Sequence, residues 1–198
     1  LFVAPLNDTT GLGIATISFA LAIGQFTWGA IQPLAGAVAD RHGPRIVLIA
    51  GILLLAVGCA LTPYMGTGFG LAVSLGLFCA MGSGASSFSV LLGAAAQRMP
   101  AEARGAASGL INAGGSFGQF VFAPILQKLI QSLGWVGSMW AMAATALLAL
   151  PLIGKLTQST HATHIQDHDE GGVLKAVGRA LQDRSYLLLH AGFFTCGF

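Results

Sequence analysis

Polar and apolar positions along this chain are segregated into long blocks rather than alternated. After Asp8 no charged residue occurs before Asp40, and none occurs between Arg45 and Arg98. Blocks of that length exceed the roughly 20 apolar residues that carry a helix across a hydrocarbon core about 30 Å thick. Gly, Pro and charge punctuate them at 40–45, 63–67, 97–104, 127–134 and 154–185, segments whose polar groups lipid would leave unsatisfied. The pattern predicts five complete spans, 11–39, 46–62, 68–94, 105–126 and 135–153, and a sixth that begins at 186. Each complete span is longer than the roughly 9–11 residues of a membrane strand and lacks strict alternation, so all are read as helices.

Composition agrees. Only 8% of the 198 residues are charged and 55% are hydrophobic, whereas a soluble domain carries about 25% charged residues to wet its surface. The expected fold class is an all-α polytopic membrane protein. Alternating the connectors between the two sides of the bilayer puts Arg41, Arg45, Arg98, Arg104, Lys155, Lys175, Arg179 and Arg184 on one side and Lys128 alone on the other. The basic side is expected to be cytoplasmic, with loops 40–45, 95–104 and 154–185 facing the cytoplasm. A net charge of +2 gives no reason to expect nucleic acid as a partner. Cys59, Cys79 and Cys196 are far apart in sequence and read as small packing residues rather than metal or disulfide partners. Residues 1–5 read as the tail of an interrupted apolar segment and Phe198 falls inside another, so both ends are expected to be cuts.

Between the first two spans the sequence reads Gly36-Ala37-Val38-Ala39-Asp40-Arg41-His42-Gly43-Pro44-Arg45. Gly36 suits close helix approach, Asp40 and Arg41 offer an ion pair at the membrane edge, and Gly43 suits a tight turn. Pro44 fits the first turn of a helix. The run resembles the Gly-x-x-x-Asp-Arg/Lys-x-Gly-Arg/Lys-Arg/Lys signature of the major facilitator superfamily, with Pro44 replacing one basic residue. The resemblance implies a partial major facilitator fold, in which the spans are helices two to six. Residues 1–153 would then be an N-terminal transmembrane bundle lacking helix one. Residues 154–185 would be the cytoplasmic central loop, ending in a short amphipathic helix in which Val173, Leu174, Val177, Ala180 and Leu181 alternate with Lys175, Arg179 and Arg184. Residues 186–198 would start the second bundle. It also implies a conformational switch at Gly36, Asp40, Arg41, Gly43 and Arg45, within a cycle in which two halves rock about a midplane site.

The run Arg104-Gly105-Ala106-Ala107-Ser108-Gly109, continued by Ala113-Gly114-Gly115-Ser116-Phe117-Gly118-Gln119 and Ala123-Pro124, is similar to helix five of the bacterial oxalate/formate and monocarboxylate branch. The stretch from Leu187 to Phe198 is similar to its helix seven. This implies secondary transport of a small organic anion, a mono- or dicarboxylate, with a proton or counter-anion as coupling species and the bacterial inner membrane as location. Export of drugs or other small molecules is the alternative within the superfamily, and a transporter-derived receptor or scaffold is the alternative outside transport. An enzyme is not expected, because Gly84-Ala85-Ser86-Ser87-Phe88 lacks the last glycine of the hydrolase Gly-x-Ser-x-Gly pattern.

No Asp, Glu, Lys, Arg or His lies inside the complete spans, so the candidate chemistry there is neutral. Ser18, Gln25 and Gln32 recur at seven-residue spacing, as do Asn112 and Gln119 with Ser116 between them, and helical geometry puts each set on one face. Such faces either line a cavity and hydrogen-bond a substrate or hold neighbouring helices together. Gln25, Trp28, Gln32, Asn112, Ser116, Gln119 and His190 are the candidate cavity-lining residues. His161, His164 and His168 with Asp167, Asp169 and Glu170 include donors for a divalent metal, but no apolar frame holds them and they read as a solvated linker. No metal site and no cofactor are expected.

Overall fold

A computed structural model describes residues 2–96, 100–157 and 182 of the chain. The described helices fall in one compact unit, Leu1–Thr160. The expected amphipathic helix, the histidine cluster, His190 and the start of the second bundle lie outside the described residues.

Helices form where the apolar blocks predicted them, but their ends overrun the charges. Helix α1 is Val3–Thr10, closed by Gly11 at φ 65°, whose N–H donates to the Asn7 carbonyl. Helix α2 is Ile14–His42 and α3 is Pro44–Leu61. The expected loop 40–45 is therefore reduced to Gly43, at φ 86°, with Pro44 opening α3. Asp40, Arg41 and His42 form the last turn of α2, because charged side chains at a membrane edge reach water without unwinding the backbone that carries them. A short 3₁₀ turn, Thr62–Tyr64, and Met65-Gly66-Thr67 make the next connector.

The third span is not a uniform helix. It runs as α4, Gly68–Leu71, a π-helical segment, Ala72–Cys79, and α5, Ala80–Ala85, then turns at Ser86-Ser87 into α6, Phe88–Ala96. Helix α7, Ala101–Leu148, carries Gly134 at φ 71°, ψ 175°, and α8 is Leu150–Thr157, across the expected boundary at 153. The apolar run Glu102–Ile153 is 52 residues long, about 78 Å as a straight helix and more than twice the hydrocarbon thickness. Gly134, the last residue of the predicted connector 127–134, divides it into two crossings. The helical state of 127–133 differs from the expected connector, although Gln127, Lys128, Gln131 and Ser132 are polar.

Packing orders these crossings. At one end Leu6, Ile17, Ala20 and Leu71 cluster with Trp135 against them. At the other, Ala35, Ala39, Val47, Leu48, Ile52, Ala85, Val90 and Ile153 form a second cluster. Ala56, Cys59 and Ala143 lie between. The limb of α7 after Gly134 therefore descends along α3 from the first end to the second. The third span is wedged against both α2 and α3 by glycines. A methyl at Gly76 would lie 2.9 Å from the Ala20 carbonyl oxygen, one at Gly84 2.9 Å from that of Trp28, and one at Gly51 2.9 Å from that of Gly82. In lipid, where tails are as apolar as leucine, such backbone approach is what holds helices together.

Candidate functional site

Residues four apart on a helix lie one above the other, so Gln32, Gly36 and Asp40 form a line down α2, with Gln25 and Trp28 higher on the same side. Gln25, Trp28 and Asp40 are exposed, and Gln32 is half-buried. Ser89 of α6 donates its hydroxyl to Gln32 Oε1 at 3.0 Å. Below that contact a cavity of about 170 Å³ opens between the elements, lined by Gly36, Ala39 and Asp40 of α2, Pro44 of α3, and Ser89, Val90 and Gly93 of α6. Ser89 thus belongs both to the neutral polar stripe and to the wall beside Asp40. It was not singled out in the sequence, where only its i+3 and i+4 spacing from Ser86 and Ala85 was visible and no signal linked it to Gln32.

Two expectations about the hairpin are corrected. Nothing among the described residues lies within 4 Å of a methyl built at Gly36, which lines the cavity instead of packing against a neighbouring helix there. No ion pair joins Asp40 to Arg41 or Arg45 among the described residues, and all three are exposed. Consecutive helical residues point in different directions, so Asp40 and Arg41 cannot face each other on the last turn of α2. Gly43 and Pro44 occupy the turn as expected.

The second polar face lies on the limb of α7 before Gly134. Asn112, Ser116 and Gln119 are all exposed, and no residue from 102 to 133 is buried. Phe117 and Phe120 stand beside them at 67% and 78% exposure, so this limb leaves apolar as well as polar surface uncovered. The structure brings Gln25, Trp28 and Gln32 onto one side of α2 and Asn112, Ser116 and Gln119 onto one side of α7; it shows no contact between the two sets.

The third span adds what sequence reasoning missed. Cys59 and Cys79, far apart in sequence, meet in space as free thiols 3.8 Å apart, because α3 and the third span form an antiparallel pair whose register neither composition nor spacing discloses. At the break at Ser86-Ser87 the Ser87 hydroxyl is buried without a hydrogen-bond partner among the described residues.

The family model described as Major Facilitator Superfamily matches residues 1–198. Monocarboxylate transporter 13 of Rattus norvegicus is 31% identical over 147 residues, covering 74% of this chain and 33% of its own length. A fujikurins efflux protein of Gibberella fujikuroi is 28% identical over 192 residues, 96% of this chain and 39% of its own length. The oxalate:formate antiporter of Oxalobacter formigenes is 27% identical over 131 residues, 66% of this chain and 31% of its own length. The match thus spans 31–39% of the length of these relatives.

Proposed function

The chain belongs to the major facilitator superfamily, and on that premise we propose that the complete protein is a secondary active transporter of a small organic anion, working by alternating access. The observation that carries the reading is the neutral stripe of α2, with Gln25 and Trp28 exposed and Gln32 bonded to Ser89, which lines the cavity beside Asp40. Amides on such a face donate to a carboxylate and an indole walls the site, while Asp40, Arg41 and Arg45 around the Gly43 turn act as the switch at the cytoplasmic edge. The anion's charge partner is assigned to the second half of the complete protein, since no Lys or Arg lies inside the complete spans here. Residues 1–153 would be most of the first bundle and 154–185 the loop between halves, in a bacterial inner membrane. Support for an anion comes from relatives named for monocarboxylate and for oxalate and formate.

The relative named for fujikurins efflux, matched along nearly the whole chain, favours a second reading as an exporter of drugs or other small molecules. Uptake of labelled oxalate and pyruvate into proteoliposomes holding the complete protein separates the two. Saturable uptake competed by unlabelled carboxylates is expected. Dye or drug extrusion without carboxylate flux would overturn the anion assignment and leave the family intact.

A further inference from the structure

Cys59 of α3 and Cys79, the last residue of the π-helical segment, are 20 positions apart in sequence and hold their thiols 3.8 Å apart. Packed helix axes ordinarily stand about 8–10 Å apart, and a disulfide needs Cα atoms about 4.4–6.8 Å apart. Gly58 supplies the approach: a methyl there would lie 2.7 Å from the Cys79 backbone nitrogen and 2.6 Å from its sulfur. The wider i→i+5 turns of Ala72–Cys79 also set which way Cys79 faces, differently from a continuous α-helix. Beside them Thr62, fully buried, donates its hydroxyl to the Gly58 carbonyl at 2.7 Å and fixes the end of α3. Cys59 is 2% exposed, whereas Cys79 is half-buried and is the more accessible residue of the pair.

We propose that Cys59 and Cys79 are an oxidation site: a thiol pair within the membrane that a membrane-permeant peroxide closes to a disulfide, tying α3 to the third span. The Cys79 sulfur attacks one peroxide oxygen, the O–O bond breaks, and the departing hydroxide leaves as water with the thiol proton. The resulting sulfenic acid is attacked at sulfur by Cys59; the S–S bond forms, the S–O bond breaks, and the hydroxyl leaves with the Cys59 proton as a second water. Two thiols and one hydrogen peroxide give one disulfide and two waters, the sulfurs losing the two electrons that the peroxide gains. No transported substrate takes part, so the site stands or falls independently of the function proposed above.

The sequence makes the test direct. No Lys or Arg lies between Arg45 and Arg98, so trypsin leaves both cysteines in one peptide, 46–98. The complete protein in membrane vesicles is treated with hydrogen peroxide, denatured in N-ethylmaleimide, digested and weighed. Untreated protein should carry two maleimides on this peptide; treated protein should carry none and weigh two hydrogens less, and dithiothreitol applied before alkylation should restore both. Two maleimides on the peptide at a peroxide dose that oxidises Cys196 would overturn the proposal, as would sulfinic acid on Cys79 with Cys59 still alkylated. Leu77→Cys combined with Cys79→Ser moves the thiol to an exposed position of the same segment. It should cross-link several-fold more slowly, and closure at the wild-type rate would show general mobility instead of a built pair.

Discussion

The third span and the first limb of α7 are built from similar sequence and do opposite things. Both are crowded with small residues, Gly76, Gly82 and Gly84 in one, Gly105, Gly109, Gly114, Gly115 and Gly118 in the other. Every glycine of the first set has atoms of α2 or α3 close to where a side chain would begin, whereas a methyl at any of the second set meets nothing within 4 Å among the described residues. A run of small residues therefore marks a surface made for close approach without saying whether the approaching body is in hand. The third span has found its neighbours. The α7 limb presents the same kind of surface, with Asn112, Ser116 and Gln119 on it, to something other than the described helices. The two regions should answer to mutation in different currencies, stability for the first and flux for the second.

The largest effect tests that division. Gly82→Val puts a branched side chain against the backbone nitrogen of Leu55, which cannot rotate away. Overpacking typically costs about 1–3 kcal/mol and more where backbone must move, so the complete protein in detergent should lose at least about 3 kcal/mol or fail to accumulate folded. Gly114→Val meets open space and should leave the thermal midpoint near wild type if the limb faces a cavity. A fall in midpoint as large as that of Gly82→Val would instead place a packed element of the complete protein on the limb, and erase the contrast.

Asp40→Asn comes next, at the boundary between the regions. Asp40 has no ion-pair partner among the described residues and lines the cavity between α2, α3 and α6. Its charge is therefore not spent on holding this half together. Transport by the complete protein should fall at least about tenfold, about 1.4 kcal/mol, while the thermal midpoint and membrane insertion stay unchanged. Normal flux from well-expressed protein would remove Asp40 from the switch.

Much of this architecture was legible before the structure. Charge-free blocks gave the crossings, and Gly43-Pro44 gave the turn between α2 and α3, because a positive-φ glycine followed by a helix-opening proline has few other uses. Gly134 was legible only as the end of the connector 127–134, not as the positive-φ residue that breaks α7. Helix ends were not, since Asp40, Arg41 and Gln127 mark the water boundary rather than the end of hydrogen bonding, and α1 was hidden by Pro5, tolerated in its first turn. The π segment and the Cys59–Cys79 contact were illegible because they depend on the register of two antiparallel helices, a property of pairs that no single-helix pattern carries. At the site, the polar stripes were readable from seven-residue spacing; Ser89, which bridges Gln32 to the cavity, was not.

Smaller effects are expected on the stripes themselves. Gln25→Ala and Asn112→Ala each remove an exposed amide whose loss exposes no buried partner, so stability should hold. If the amide donates to substrate, losing one hydrogen bond worth about 0.5–1.5 kcal/mol should raise the apparent KM about three- to tenfold. Unchanged kinetics for both variants, with lowered thermal midpoints, would convert the stripes from cavity lining into packing and move them to the other side of the comparison.

The smallest effect should come from a buried polar atom of the packed region that has no partner among the described residues, the Ser87 hydroxyl. The Ser87 hydroxyl sits at the break between α5 and α6, 9% exposed and unbonded, where burying a donor without an acceptor costs about 1–3 kcal/mol. Ser87→Ala removes that burden and leaves behind a void smaller than a methyl group, so the two changes nearly offset and the net gain is about 0.5–1 kcal/mol. The neighbouring Ser86 differs, since its hydroxyl donates to the Gly82 carbonyl at 2.7 Å and its loss should be neutral or mildly destabilising. Thermal midpoints of the two alanine variants in the complete protein therefore separate in a defined direction, Ser87→Ala above wild type and Ser86→Ala at or below it. The reverse order would mean that Ser87 is bonded in the complete protein, and that the third span, like the α7 limb, reserves part of its surface for a neighbour outside these helices.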